Sequence, residues 1–140
     1  MFTVFSHTAD IGLDLQASNL ETLFIEAANG WRTMVFEDSE INAVSRHRIS
    51  LAAADPEDLL VQWLSELNYF LTVHRWVFHA VTALSLQNDD AKWSLRASID
   101  GESLDSDRHY IYFDIKAVTY HQLNIAETAD GYRTRVIFDI

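Results

Sequence analysis

The chain has 140 residues, 49% of them apolar, with four Trp, five Tyr and eight Phe, which is enough for one substantial core and leaves no room for a second domain. Its 21 acidic residues against 10 basic ones give a formal charge of −11, a surface that repels a phosphate backbone at long range and suits a basic partner, such as an enzyme that handles RNA, or a cation. Zero cysteines exclude disulfides, thiolate metal sites and thiol catalysis, and no stretch approaches the roughly 20 apolar residues of a membrane helix. The start, Met1 to Phe5, lacks the charged and apolar regions of a signal peptide, so a soluble cytoplasmic protein is expected, one domain over residues 1–140.

The first two strands are predicted at Phe2 to Phe5 and Ile11 to Ala17. Ser18-Asn19-Leu20-Glu21 then reads as a capping box, with the Ser18 hydroxyl and the Glu21 carboxylate covering exposed amides of a helix. Leu20, Leu23, Phe24, Ala27, Ala28, Trp31, Met34 and Val35 give that helix one apolar face. A strand follows from about Asn42 to Ala52. Asp55-Pro56-Glu57-Asp58 opens the second helix, with Asp55 as N-cap, proline at the first helical position and carboxylates at the positive end of the dipole. Its stripe is Leu59, Leu60, Trp63, Leu64, Leu67, Phe70 and Leu71. Extended runs are predicted at Val77 to Leu86, Lys92 to Ile99, His109 to Tyr120, Leu123 to Glu127 and Tyr132 to Ile140. Turns separate them at Asn88-Asp89-Asp90, Asp100-Gly101 and Asp130-Gly131. This order implies an α+β domain in two layers, two helices packed against a mostly antiparallel sheet.

Regular structure carried to the terminal carboxylate is unusual, because chain ends ordinarily fray. In Thr134 to Ile140, alternation puts Val136 and Phe138 on one side and Ile137 and Asp139 on the other, with the Asp139 side chain and the terminal carboxylate at one sheet edge. Two such groups repel unless a cation or donor lies between them. Asp10, in the polar break Ser6 to Asp10, offers a third carboxylate. Three oxygen donors suit calcium, magnesium or manganese rather than zinc, while the competing reading makes Asp10 a turn cap and Asp139 a solvated strand end. His7 is either a ligand, a donor to a carboxylate, or a hydrogen-bonded turn residue. Lys116 shares a strand face with Asp114, Val118 and Tyr120, and either pairs with Asp114 or is held for a phosphate or an acidic partner. His121 is a further polar residue at a strand end. Arg46 with Arg48 and Arg133 with Arg135 are the paired basic clusters, each read as the solvent side of a strand, and no stable direct binding of nucleic acid is expected. Phosphate loops, metalloprotease helices, nucleophile elbows and EF-hand loops are all missing, which argues against a self-sufficient enzyme.

His7-Thr8-Ala9-Asp10-Ile11-Gly12, Asp58 to Leu67, Ile115-Lys116-Ala117-Val118-Thr119-Tyr120-His121 and Arg135-Val136-Ile137-Phe138-Asp139-Ile140 together resemble the archease family over the whole chain, the Lys-Ala-Val-Thr-Tyr-His string being the most specific. The resemblance implies a protein cofactor, not itself an enzyme, of the RtcB-type RNA ligase, which joins a 2′,3′-cyclic phosphate or 3′-phosphate end to a 5′-hydroxyl end in tRNA splicing and RNA repair. It implies promotion of ligase guanylation and multiple turnover, with wider use of nucleotide triphosphates. Carried over by position, the family metal site falls on Asp10, Asp139 and Ile140, with calcium the usual ion and magnesium or manganese the alternatives. Lys116, with His7 and His121, is assigned to ligase activation or its interface. The stretch Phe70 to Trp76 replaces an acidic segment of many relatives. The alternative function is an acidic chaperone or adapter for nucleic-acid-processing enzymes.

Overall fold

A computed structural model describes residues 1–6 and 10–140. In chain order the elements are β1 (Phe2–Ser6), β2 (Asp10–Ala17), α1 (Leu20–Phe36), β3 (Ser45–Ala53), α2 (Pro56–Thr72), β4 (Trp76–Asp89), β5 (Lys92–Ser103), β6 (Ala117–Val118), β7 (Ala126–Thr128) and β8 (Gly131–Asp139). The fold class is the expected α+β. The strands, however, divide into two antiparallel sheets: one ordered β1-β2-β8-β6 with β7 also on β8, the other ordered β3-β5-β4. Strand periodicity carries no mark of that division, because each strand alternates in the same way whichever sheet it joins.

Both helices start by capping. Asp55 Oδ1 accepts from the Asp58 amide at 2.7 Å, with Pro56 at the first position, as expected. At α1 the cap is Asn19, not Ser18: its Oδ1 accepts from the Thr22 amide at 2.8 Å. That one-residue shift removes the reciprocal box and leaves Glu21 to act on the helix dipole alone. α1 packs on β1, β2, β8 and β4, and α2 on β3, β4, β5 and β6. Trp63 joins the two helices, its Nε1 donating to the buried Phe24 carbonyl at 2.9 Å. The predicted apolar stripes are the core, with Leu23, Phe24, Trp31, Leu59, Leu60, Trp63 and Leu64 fully buried in one continuous cluster.

Two further predicted features are corrected. Asp100-Gly101 is no turn but lies within β5, opposite an irregularity of β4 between Phe78 and Ala80. Asp100 Oδ1 supports that irregularity by accepting from the Ala80 amide at 3.0 Å and meeting His79 Nδ1 at 2.8 Å. Gly101 is required because the Val77 carbonyl and the Trp76 ring occupy the space a Cβ would take. The run His109 to Tyr120 forms a strand only at Ala117–Val118. Its preceding residues send their backbone groups elsewhere: the Tyr112 amide to the Val35 carbonyl at 2.7 Å, the Tyr110 amide to Ser39 Oγ at 3.2 Å, and the Ile115 carbonyl to Asn68 Nδ2 at 2.9 Å. Alternation of Ile111, Phe113 and Ile115 imitates a strand, but scattered backbone and side-chain anchors replace the ladder.

Candidate functional site

β2 and β8 pair over eight residues, from Asp10↔Asp139 to Ala17↔Tyr132. Ile11, Leu13 and Leu15 of β2 and Val136 and Phe138 of β8 enter the core, which sends Asp10, Asp14, Arg135 and Asp139 to the other face. Directly opposed residues of an antiparallel pair project to the same side, with Cβ atoms about 4.5–5.5 Å apart. Along this one face, Asp14 meets Arg135 and forms two hydrogen bonds, Nε to Oδ1 at 2.7 Å and Nη2 to Oδ2 at 3.0 Å. The Arg135 guanidinium also lies 4.3 Å from the centre of the Phe5 ring. Four residues along β2 the same ladder opposes Asp10 to Asp139, acid against acid. An arrangement that is neutralised at one position is left with two negative groups at the other.

The end of β8 is held from both sides. β2 lies on one edge, and on the other Ala117 pairs with Asp139 while the Lys116 amide donates to the Asp139 carbonyl at 2.8 Å. Ile140, half-buried, packs its side chain against the core. Asp10, Asp139 and Ile140 therefore converge at one end of the five-stranded sheet. Among the described residues, no three His, Asp or Glu side chains form a cluster able to hold an ion. Three buried side-chain polar atoms lack a hydrogen-bond partner among the described residues: Asp10 Oδ1, Trp31 Nε1 and Arg32 Nε. Only the first carries negative charge. A buried carboxylate oxygen with no donor among the described residues, beside a second carboxylate, is a donor set that fits a hard divalent cation such as calcium, magnesium or manganese.

Lys116 lies one residue before the β6 pairing, beside the end of β8. Its side chain is exposed and makes no ion pair among the described residues, so the expected partner Asp114 does not hold it. The expected face shared by Lys116, Val118 and Tyr120 is also absent, because only two residues of that run are in a strand and Val118 is buried while the other two are exposed. His121 is exposed in the turn after β6, its amide donating to Thr119 Oγ1 at 3.3 Å. The β6–β8 register runs away from Asp139 toward His121, so this histidine is not gathered with the carboxylates. His7 lies outside the described residues.

A second carboxylate cluster was not foreseen. Glu102, 5% exposed, takes Arg108 Nη2 at 2.5 Å and Nη1 at 3.2 Å, His109 Nε2 at 3.2 Å and the Asn42 amide at 2.5 Å. His109 Nδ1 accepts from the Asp105 amide at 3.0 Å, which places the ring proton on Nε2, pointing at Glu102. The Arg108 hydrogen bonds lower the Glu102 carboxyl from 4.5 to about 2 against the opposing effect of burial, and raise the guanidinium in return. In the sequence, the sole signal was Arg108-His109 following an acidic segment.

The archease protein family (MTH1598/TM1083) matches residues 2–140. The chain is 32% identical over 139 residues to the protein archease of Methanosarcina acetivorans, covering 99% of this chain and 95% of that one. It is likewise 32% identical over 139 residues to the protein archease of Saccharolobus solfataricus, with coverage of 99% and 98%. The solution structure of Methanobacterium thermoautotrophicum protein 1598 superposes with a TM-score of 0.81 at 27% identity, covering 99% of this chain and 98% of its own. A crystal structure of a Thermotoga maritima archease, described as a possible chaperone, shares the fold at a TM-score of 0.57 and 21% identity over 100% and 98% of the two chains. Matched along its whole length by the family, by relatives above 30% identity and by the fold itself, this chain belongs to the archease family.

Proposed function

We propose that this protein is a non-enzymatic cofactor of an RtcB-type RNA ligase, and that Asp10, Asp139 and the Ile140 carboxylate hold a divalent cation at the end of the sheet that meets the ligase. Family membership supports the reading. The observation that carries it is the Asp10↔Asp139 pairing beside the terminal carboxylate, with Asp10 Oδ1 buried and without a donor among the described residues. Nothing in the ladder requires an acid at both positions, since the same ladder pairs Asp14 with Arg135. When bound, the cation supplies a fixed positive charge at that end. The residues of this chain do the positioning: β2 and β6 clamp β8, Ile140 packs on the core, and Lys116, exposed and without an ion pair among the described residues, presents its ammonium near that end, suited to a phosphate or an acidic group.

The role proposed for the partner is faster guanylation and repeated turnover, with RNA joined by the ligase alone. Guanylation of the ligase, followed with labelled GTP in the presence of wild-type, Asp10→Ala and Asp139→Ala protein, tests it. The expected result is loss of stimulation in both variants with the fold retained, and no covalent nucleotide on this chain. Full stimulation by a folded Asp139→Ala protein overturns the reading. A second reading, an acidic chaperone or adapter, is favoured by the charge of −11 and by the description of the Thermotoga maritima relative. It predicts that loss of one carboxylate is tolerated and that protection of a basic enzyme against aggregation persists.

A further inference from the structure

The outer face of the three-stranded sheet opposes the net charge of the chain. Arg48 of β3 is paired with Ser98 of β5, and Arg96 of β5 with Ser50 of β3 and Ser85 of β4, so all five side chains project to one face. Arg46 lies two residues along β3 on the same side. Ile49, Leu95, Ala97 and Ile99 take the opposite face and are buried. Arg46, Arg48 and Arg96 are exposed and form no ion pair among the described residues, although the protein has 21 acidic residues from which to supply one. By contrast Arg108 and Arg135 are both paired. Between the arginines lies a shallow depression of about 530 Å³ whose lining contains no carboxylate. The carboxylate opposite Arg46, Asp100, is already engaged by His79 and the Ala80 amide.

We infer that this face is a contact surface for the phosphate backbone of RNA, centred on Arg48 and Arg96 with Ser50, Ser85 and Ser98 as hydroxyl donors. Guanidinium forks and hydroxyls are the groups that bind phosphate oxygens, and their cross-strand spacing of about 7–8 Å forms a row rather than a single-anion cradle. No aromatic ring lines the depression, so bases are not stacked there and the contact is independent of sequence. A protein partner needs large apolar side chains to form a dry interface core; the Arg, Ser and Ala side chains on this face provide none, and the Ile49 and Leu84 that also border the depression belong to the core-facing side. The repulsion expected from the whole surface keeps the contact weak and local, a guide for RNA that is held elsewhere. The inference does not require the ligase, and its test contains none.

The whole chain, labelled for amide NMR, is titrated with a short oligouridine at low salt. Amides of residues 46–50, 83–85 and 94–98 are expected to shift. Three phosphate contacts imply a salt slope of about −2, so going from about 50 to about 200 mM salt weakens binding by about 20-fold. Arg96→Glu should abolish the shifts, while Arg133→Glu, an equal change of charge on the other sheet, should leave most of the response. A spectrum of Arg96→Glu that is otherwise native shows that the fold is kept. Absence of shifts in the wild-type protein, shifts located elsewhere, or an equal loss from Arg133→Glu overturns the proposal. So does a polyglutamate peptide that moves the same amides as strongly as RNA, which would assign the face to an acidic protein segment.

Discussion

Glu102 and Asp10 each hold a carboxylate against the body of the protein, yet among the described residues only the first is surrounded with donors. Glu102 receives Arg108, His109 and the Asn42 amide, and in accepting them it ties residues 105–109 to the end of β5 and the approach to β3. Asp10 faces Asp139, and its Oδ1 has no partner among the described residues. A carboxylate supplied with its own cation is a fastener. One left beside another carboxylate is held there at a cost to the fold, which is recovered when something positive arrives. The two clusters should therefore answer the same kind of substitution with opposite signs.

The largest effect is expected at Glu102. Glu102→Ala leaves the buried His109 donor, the Asn42 amide and part of Arg108 unpaired and should cost about 3 kcal/mol, read as a lowered melting temperature. The pH response sharpens the contrast. Because the carboxyl is lowered from 4.5 to about 2 in the folded protein, its contribution is complete above pH 4.5 and is lost as pH falls through 2. The difference in melting temperature between wild-type protein and Glu102→Gln should thus shrink across that window and be constant above it. A difference that persists at pH 2 breaks the account.

Asp10→Asn should do the reverse. Without added metal, removing one of two opposed acids leaves stability unchanged or raises it by up to about 1 kcal/mol. With calcium at about 100 times its Kd, the wild-type protein gains about 2.7 kcal/mol and the variant should gain almost nothing. A variant destabilised without metal, as at Glu102, would make Asp10 a structural cap instead.

A smaller change is expected from extending the chain beyond Ile140. A C-terminal tag turns the terminal carboxylate into an amide carbonyl, so calcium affinity measured by titration should fall about tenfold, equivalent to about 1.4 kcal/mol. An N-terminal tag is not a matched control, because the Met1 ammonium binds Glu26 at 2.9 Å and the Gln16 carbonyl at 2.8 Å. Equal affinity in tagged and untagged protein removes the terminus from the donor set.

Lys116→Ala should be smallest in stability and most selective in function. The exposed side chain has no ion pair among the described residues, so melting should move by less than about 0.5 kcal/mol. Stimulation of ligase guanylation should drop well beyond that change while calcium binding is kept. Full stimulation returns Lys116 to a solvated residue at a strand end.

What the sequence determined by itself was local. Asp55-Pro56 starts a helix wherever it occurs because an N-cap acceptor and a fixed φ act within one turn, and the stripes Leu23 to Trp31 and Leu59 to Leu67 had to be buried because a chain of this size has no other core. Alternation alone put Asp139 on the face away from Phe138. It could not say which strand would lie opposite, because a pairing partner is chosen by the hydrophobic complementarity of residues far apart in the chain. The tertiary structure decided that Asp10 opposes Asp139, that the run from His109 is tied by scattered backbone and side-chain bonds instead of a ladder, that Asp100-Gly101 sits inside a strand, and that Arg48 and Arg96 share a face. Each of these depends on distances between segments separated by tens of residues, and electrostatic and hydrogen-bond energies exist only once those distances are set.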